Sequence, residues 1–116
     1  MRIGSGRFRG RKLHAPKGQE TRPTGARLKK SLFDVLGAEL ENVRVLDLFA
    51  GAGALGLEAL SRGAAEVVFV EKGRRAAEAI QKNIDELGLV GYTELRVLAV
   101  RSALRGLSAE DRSFDL

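Results

Sequence analysis

Apolar residues between positions 43 and 116 alternate between two spacings. Continuous apolar runs predict three buried β-strands, at 43–49, 66–71 and 94–100. Helical spacing predicts helices between and after them, at 54–62, 74–87 and 102–107. Strands that alternate with helices predict an α/β fold with a doubly wound parallel sheet and right-handed crossovers.

The last three residues, 114–116, resemble the first residues of a fourth strand. In a doubly wound sheet the ligand lies where the strand order reverses, and there the first strand has the fourth as its second neighbour. Because the sequence stops as that strand begins, we expect the chain to be the front part of a longer enzyme.

Residues 1–24 have a different character from the rest. Short strands with glycine turns are expected over 1–20, and Thr21–Thr24, which contains Arg22 and Pro23, is expected to be a loop. A helix is predicted over 27–40, with Thr24 as a possible cap and an apolar face of Leu28, Leu32, Val35, Leu36 and Leu40. The expected organisation is an arm, 1–24, followed by a domain, 25–116.

Charge divides the chain in the same way. Residues 1–30 hold ten Lys or Arg and one acid, Glu20, for a net +9, whereas the other 86 residues carry −4, which gives the overall +5. A basic arm on a mildly acidic body predicts a polyanionic partner. The alternation within Arg7–Leu13 predicts a small hairpin with basic side chains on one face, and Phe8 is expected to pack on the body rather than stack on a base.

The composition excludes several classes of protein. The chain has no cysteine, so it has no disulfide framework or thiolate metal site, which fits a cytoplasmic location. It has neither the apolar core of a signal peptide nor a membrane-spanning run. The single histidine, His14, lies in a basic stretch and is expected at the surface, so no metal site is predicted.

The most specific motif follows the first predicted strand. Gly51, Gly53 and Gly56 form a turn between strand and helix, which is typical of sites for nucleotide-like cofactors. Asp47, four residues before Gly51, distinguishes between ligands because a carboxylate repels a pyrophosphate but attracts the cationic S-adenosylmethionine (SAM). Unit charges about 4 Å apart contribute roughly 4 kcal/mol at an effective dielectric of 20. We therefore expect SAM.

A second acid supports a nucleoside ligand. Glu71 ends the next apolar run, twenty residues after Gly51. A carboxylate at this place can accept hydrogen bonds from both ribose hydroxyls. A solvated acid that merely closes a strand is the alternative.

These motifs resemble the bacterial small-subunit (16S) rRNA guanine-N2 methyltransferases, a family of Rossmann-like class I SAM-dependent enzymes. The likeness rests on several short segments: Arg2–Ile3 with Gly6, Phe8–Arg11, Thr21–Thr24, Leu32–Phe33 with Leu36, 45–51 with Gly53, 55–59, 61–64, Val70–Lys72 and Asn83. It implies that Gly51 and Gly53 approach the methionine part of SAM, that Asp47 lies near its ammonium, and that Glu71 binds the ribose. It further implies cofactor contacts for Phe49, Lys72 and Ser102. The partner it implies is ribosomal RNA, possibly within the small subunit, for a protein that is monomeric when full length.

The same resemblance implies that the arm, through Arg7, Arg9, Arg11 and Lys12, and Arg22 contact RNA phosphates or the SAM carboxylate. Three features depart from the family: Gly73 replaces an acid, Ser102 replaces an aspartate that would bind adenine, and the catalytic Asp-Pro-Pro-aromatic motif is missing. Ser102 has the alternative interpretation of a helix N-cap. No catalytic residue is identified, and this chain alone is expected to be inactive.

Two other classes of function stay open at this stage. The glycine pattern alone also fits a NAD-dependent oxidoreductase. The basic arm alone fits a non-catalytic RNA-binding module.

Overall fold

A computed structural model of the chain describes residues 1–16 and 26–116. Four α-helices alternate with three strands: α1 (Ala26–Leu36), β1 (Arg44–Leu48), α2 (Ala54–Ser61), β2 (Glu66–Val70), α3 (Arg74–Leu87), β3 (Thr93–Arg96) and α4 (Val100–Ala109). Short 3₁₀ helices cover Gly37–Leu40 and Val90–Tyr92. The predicted Thr21–Thr24 loop, the Thr24 cap and Arg22 lie outside the described residues.

The sheet is parallel and has the order β1-β2-β3. Residues 114–116 lie along the other side of β1: the N–H of Leu46 donates to the carbonyl of Leu116, and the N–H of Leu116 donates to the carbonyl of Arg44. This pair of bonds brackets Val45 as a parallel ladder does. Residues 114–116 are not assigned to a strand, but their pairing with β1 agrees with the predicted position of a fourth strand.

Helices cover both faces of this sheet. On one face, β1 and β2 pack against α1, α2 and α3 in a core that contains Phe33, Leu57, Val67, Phe69 and Ile80. On the other face, Val68 and Val70 pack against Ala103 of α4. Because successive strand residues point to opposite faces, Val45 and Asp47 share the face that α2 covers. The prediction of an α/β, Rossmann-like architecture is confirmed.

Two predicted boundaries were wrong around β3. The strand ends at Arg96 rather than at residue 100, because its ladder partner β2 ends at Val70 and Val97 is exposed. Helix α4 then begins at Val100, with Ala99 as an N-cap that makes no side-chain bond. Ser102 is therefore inside the helix, and its interpretation as an N-cap is wrong.

Helix α1 is shorter than the predicted 27–40. Gly37 adopts a left-handed conformation with φ of 59°, so the chain continues as a 3₁₀ turn from that residue. Leu40, at the end of that turn, is buried in the core as the pattern predicted, whereas Leu32 and Val35 are exposed.

The N-terminal arm is a hairpin-like loop with a different pairing from the predicted one. Residues 1–3 pair antiparallel with residues 11–13 through the Arg2–Lys12 bridge, and a turn spans 4–10. The pairing has this register because Ile3 and Leu13 are both buried in the core. Phe8 packs against the same core, so the expectation that it lies on the body is confirmed.

Candidate functional site

A left-handed turn connects β1 to α2 at the carboxyl edge of the sheet. Phe49, Gly51 and Gly53 have φ values of 57°, 59° and 83°. A Cβ atom on Gly51 would meet nothing within 4 Å, whereas one on Gly53 would lie 3.3–3.5 Å from core side chains. Gly51 is therefore the glycine that borders open space, and a ligand can approach the backbone there. Phe49 is two residues before Gly51, and its side chain is 75% exposed.

Gly56 serves packing rather than ligand approach. A Cβ atom at this position would lie 2.3 Å from Cε1 of Phe69 and 2.9 Å from Cγ1 of Val67. Only a residue without a side chain lets α2 pack this closely against β2. Of the three glycines, Gly51 borders open space, whereas Gly53 and Gly56 face the core.

Glu71 accepts hydrogen bonds from the backbone of the glycine turn. Its Oε1 accepts the N–H of Gly51 at 2.8 Å, and its Oε2 accepts the N–H of Gly73 at 2.7 Å. Each carboxylate oxygen can accept a further bond, and the side chain is half-buried. Glu71 is therefore within reach of a ligand at the turn while it fixes the shape of that turn.

Asp47, near the end of β1, is only 9% exposed. Its Oδ2 accepts the N–H of Gly56, in the first turns of α2, at 3.1 Å. Burial raises the pKa of Asp47 to about 6; the bond from Gly56 opposes this increase, and the nearby Glu71 charge adds to it. The carboxyl group also lines an otherwise mainly apolar cavity of about 140 Å³ between α1, β1 and α2.

The remaining predicted cofactor residues are on the surface. Lys72 follows Glu71 and is exposed, and Ser102 is an exposed residue in the first turn of α4. They follow the carboxyl ends of β2 and β3, the two strands that come after β1 in the order of the sheet. The structure brings Asp47, Glu71 and the Gly51 turn together and leaves Lys72 and Ser102 at the periphery of this group.

The predicted RNA-contacting side chains of the arm are exposed. Within residues 1–16 and 26–116, Arg7, Arg9, Arg11 and Lys12 form no salt bridge with an acidic side chain. Arg7 lies over the ring of Phe8 at 5.1 Å, and Arg11 donates to the backbone carbonyl of Glu86 at 3.3 Å. These cations are available to a polyanion. Arg22 is outside the described residues.

Glu58, whose role no sequence motif indicated, holds the arm in place. This fully buried carboxylate accepts the N–H groups of Gly4 and Ser5 at 2.8 and 3.0 Å and pairs with Lys29 and Arg62 at 3.0 and 2.9 Å. Burial acts to raise its pKa, but these hydrogen bonds and cations prevail and hold the pKa below the usual range. A charged residue at a helix position that faces the core was the only available sequence signal.

Ser61 completes this docking site at the end of α2. The N–H of Arg7 donates to its carbonyl at 2.8 Å, the N–H of Phe8 donates to its hydroxyl oxygen at 2.9 Å, and that hydroxyl donates to the carbonyl of Ser5 at 2.6 Å. A Cβ atom on Gly6 would lie 2.0 Å from the Ser61 carbonyl oxygen. The arm is thus bound to the helix that begins at the cofactor turn.

Asn83 connects the arm directly to the glycine turn. It is 1% exposed; its amide donates to the carbonyls of His14 and Ala52, and its carbonyl accepts the N–H of His14 at 2.7 Å. Ala52 lies between Gly51 and Gly53. Asn83 contributed to the family resemblance, but only the structure shows this bridging role.

Neither a metal site nor a membrane span is found in the described part of the chain. His14 is half-buried, with its Nε2 2.7 Å from an Oε2 of Glu86, and no group of three potential metal ligands occurs among the described residues. None of the helices in residues 1–16 and 26–116 has the length and apolar character needed to cross a membrane.

Solved structures with the same fold include methyltransferases. A protein described as a methyltransferase in complex with S-adenosylhomocysteine is 19% identical, with a TM-score of 0.64 over 77% of this chain and 23% of its own. At this identity the likeness shows the fold alone, and it agrees with the Rossmann-like arrangement of the parallel sheet and its helices. The chain belongs to the family described as conserved hypothetical protein 95, whose model matches residues 1–116.

The chain is also similar to individual proteins. The ribosomal RNA small subunit methyltransferase D of Escherichia coli K12 is 44% identical over 87 residues, which are 75% of this chain and 44% of that protein. A hypothetical protein from a Thermus species has a structure with a TM-score of 0.86 and 37% identity, over 98% of this chain and 64% of its own. The chain spans between 44% and 62% of the length of its first curated relatives.

Proposed function

We propose that the protein takes part in SAM-dependent methylation of ribosomal RNA at the exocyclic N2 of a guanine in the small subunit. The observation that carries the proposal is a pair of interacting acids at the strand-to-helix turn: Glu71 accepts the N–H of Gly51, and Asp47 accepts the N–H of Gly56. A cationic cofactor is stabilised by these two acids, and a pyrophosphate is repelled. Relatives named as rRNA small subunit methyltransferases support the choice of substrate.

The proposed contacts with SAM follow from the positions of the glycine turn and of Asp47. The methionine part of SAM would approach the backbone at Gly51, next to Gly53, where no side chain intervenes. Asp47 is too buried for an extensive direct contact and would act on the ammonium mainly through its field.

The nucleoside would lie on the other side of the turn. The remaining lone pairs of Glu71 would accept the ribose hydroxyls. Phe49, Lys72 and Ser102 would border the adenine from the surrounding loops and α4.

The arm would bind RNA without reading its bases. Arg7, Arg9, Arg11 and Lys12, together with Arg22, would contact phosphates, and such contacts position a nucleic acid rather than specify its sequence. Because Glu58 and Asn83 fix the arm to α2 and to the glycine turn, bound RNA would be held at a constant place relative to the cofactor.

In the proposed reaction the N2 lone pair of guanine attacks the methyl carbon of SAM. The carbon–nitrogen bond forms as the carbon–sulfur bond breaks, the sulfur retains the bonding electron pair as S-adenosylhomocysteine leaves, and N2 loses one proton to solvent or to a base. The described residues contribute binding and orientation. We assign no catalytic residue.

Calorimetric titration with SAM and, in parallel, with NAD tests the cofactor. We expect binding of SAM and S-adenosylhomocysteine and no binding of NAD. The reverse result would establish the dinucleotide-dependent alternative. Transfer of a tritiated methyl group to small-subunit rRNA by a form of the protein that carries the Asp-Pro-Pro-aromatic motif, followed by mapping of the modified base, tests the substrate; label on another base or position would refute guanine N2.

A non-catalytic RNA-binding module is the second candidate, and the exposed cations of the arm favour it. Binding of RNA with no binding of SAM would support this candidate against a methyltransferase. Unchanged RNA binding after removal of the arm would instead eliminate the arm as the RNA contact.

A further inference from the structure

A depression of about 530 Å³ lies between the arm and α1, away from the glycine turn. Its lining includes five cationic side chains and one carboxylate, Asp34; the cations are Arg2, Arg9, Lys29, Lys30 and Arg62. The fully buried Glu58 beneath it compensates one of these charges, so the depression keeps a net charge of about +3.

The floor of the depression is organised before any ligand arrives. The Lys29 side chain is 8% exposed and is fixed by Glu58 at 3.0 Å and by the carbonyl of Arg2 at 2.7 Å. Arg62 is fixed through its Nε by Glu58 and lies 4.7 Å above the ring of Phe33. Such restrained side chains lose little conformational entropy when they bind a ligand.

Arg62 retains unused donors in this position. Within the described residues its Nε bonds to Glu58, whereas its two terminal nitrogens donate no hydrogen bond, and the side chain is 18% exposed. The planar end of a guanidinium is suited to two parallel bonds to a phosphate. At the rim, Lys30 and Arg9 are exposed and form no salt bridge among residues 1–16 and 26–116.

We propose that this depression is a binding site for an RNA backbone phosphate, with Arg62 at its floor and Lys30 and Arg9 at its rim. The inference rests on the proposed function for the identity of the polyanion. It divides the arm into two sides: Arg9 faces the phosphate site, whereas Arg11 is directed to the carbonyl of Glu86 on α3. The part of the RNA backbone that occupies this site would therefore lie on the α1 side of the arm.

The salt dependence of RNA binding tests the site. Fluorescence anisotropy with a labelled RNA hairpin of about 20 base pairs, repeated over a sodium chloride series, gives the slope of log K against log salt. Lys30→Gln and Arg9→Gln should each reduce the magnitude of the slope by about 0.9, and the double variant by about twice that amount. Arg105→Gln, an exposed arginine on α4 outside the depression, is the matched control and should leave the slope unchanged.

Equal changes in all three single variants, or no change in any, would overturn the site in favour of diffuse attraction. Tighter binding of vesicles that contain phosphatidylserine than of the RNA would overturn the choice of RNA. These results are separable from the proposed function: SAM binding and methyl transfer that persist with unchanged slopes remove only the phosphate site. Slopes that change as expected without SAM binding remove only the methyltransferase.

Discussion

Two buried carboxylates on the same face of the sheet have opposite environments. Glu58, under the arm, has four partners, two backbone N–H groups and two cations, and its pKa is lowered. Asp47, near the end of β1, has one backbone donor and a neighbouring acid, and its pKa is raised to about 6. A carboxylate whose partners are all provided by the protein stabilises the fold, whereas one that lacks a cation is poised to bind one.

The largest expected effect is the loss of the Glu58 charge. Glu58→Gln leaves Lys29 and Arg62 buried without a counter-ion, so the free energy of unfolding should fall by about 3–5 kcal/mol in urea denaturation. Glu78→Gln breaks an exposed helix pair with Arg74 and should cost less than about 0.5 kcal/mol. Similar losses in the two variants would contradict the structural role of Glu58.

The next largest effect is the pH dependence of stability that Asp47 causes, whose sign is opposite to that of Glu58. An acid with a higher pKa in the folded state binds more protons when folded, so its contribution to stability decreases as pH rises from about 4 to 6 and is then constant. A change from 3.8 to about 6 corresponds to about 3 kcal/mol. Glu58 has the opposite effect. Its pKa is lowered in the folded protein, so its contribution to stability is lost as the pH falls below the usual pKa of a glutamate.

Urea unfolding of the protein and of Asp47→Asn between about pH 4 and 7 isolates the Asp47 contribution. The stability of the variant relative to the protein should increase by about 3 kcal/mol over this interval. A constant difference across the interval would show that Asp47 titrates normally.

The third effect concerns docking of the arm and has a matched pair of glycines. Gly6 and Gly10 both have φ of 83°, but a Cβ atom on Gly6 would lie 2.0 Å from the Ser61 carbonyl oxygen, whereas one on Gly10 would meet nothing within 4 Å. Gly10→Ala should cost about 1 kcal/mol through backbone strain. Gly6→Ala should cost about 1–3 kcal/mol more and expose the arm to protease. Equal costs would indicate that the arm is not held against α2.

The hydrophobic pattern predicted the fold more completely than the site. Strand 66–71 was predicted to within one residue of β2, and helix 74–87 matches α3, because their apolar runs end at clear signals, such as Gly88, a left-handed C-cap. The end of β3 was not predictable in the same way, since it depends on where its partner β2 stops. Local periodicity contains no information about the length of a neighbouring strand.

At the site, residue types were predictable and their partners were not. The glycine spacing and Asp47 indicated a crevice, but only the folded chain shows that Gly51 borders open space while Gly56 faces Phe69. Glu58 and Asn83 bond to residues far away in the chain, such as Gly4 and Ala52, and no sequence spacing identifies such contacts.

The affinity for SAM as a function of pH tests the role of Asp47 most directly. If the ionised carboxylate stabilises the cationic cofactor, the binding constant measured by calorimetry should rise between about pH 5 and 7, by up to tenfold per unit below the pKa near 6, and then level off. Asp47→Asn should bind SAM more weakly at about pH 8 and lose most of this dependence. Equal affinities of the two proteins at that pH, with identical pH profiles, would contradict the electrostatic basis of cofactor selection.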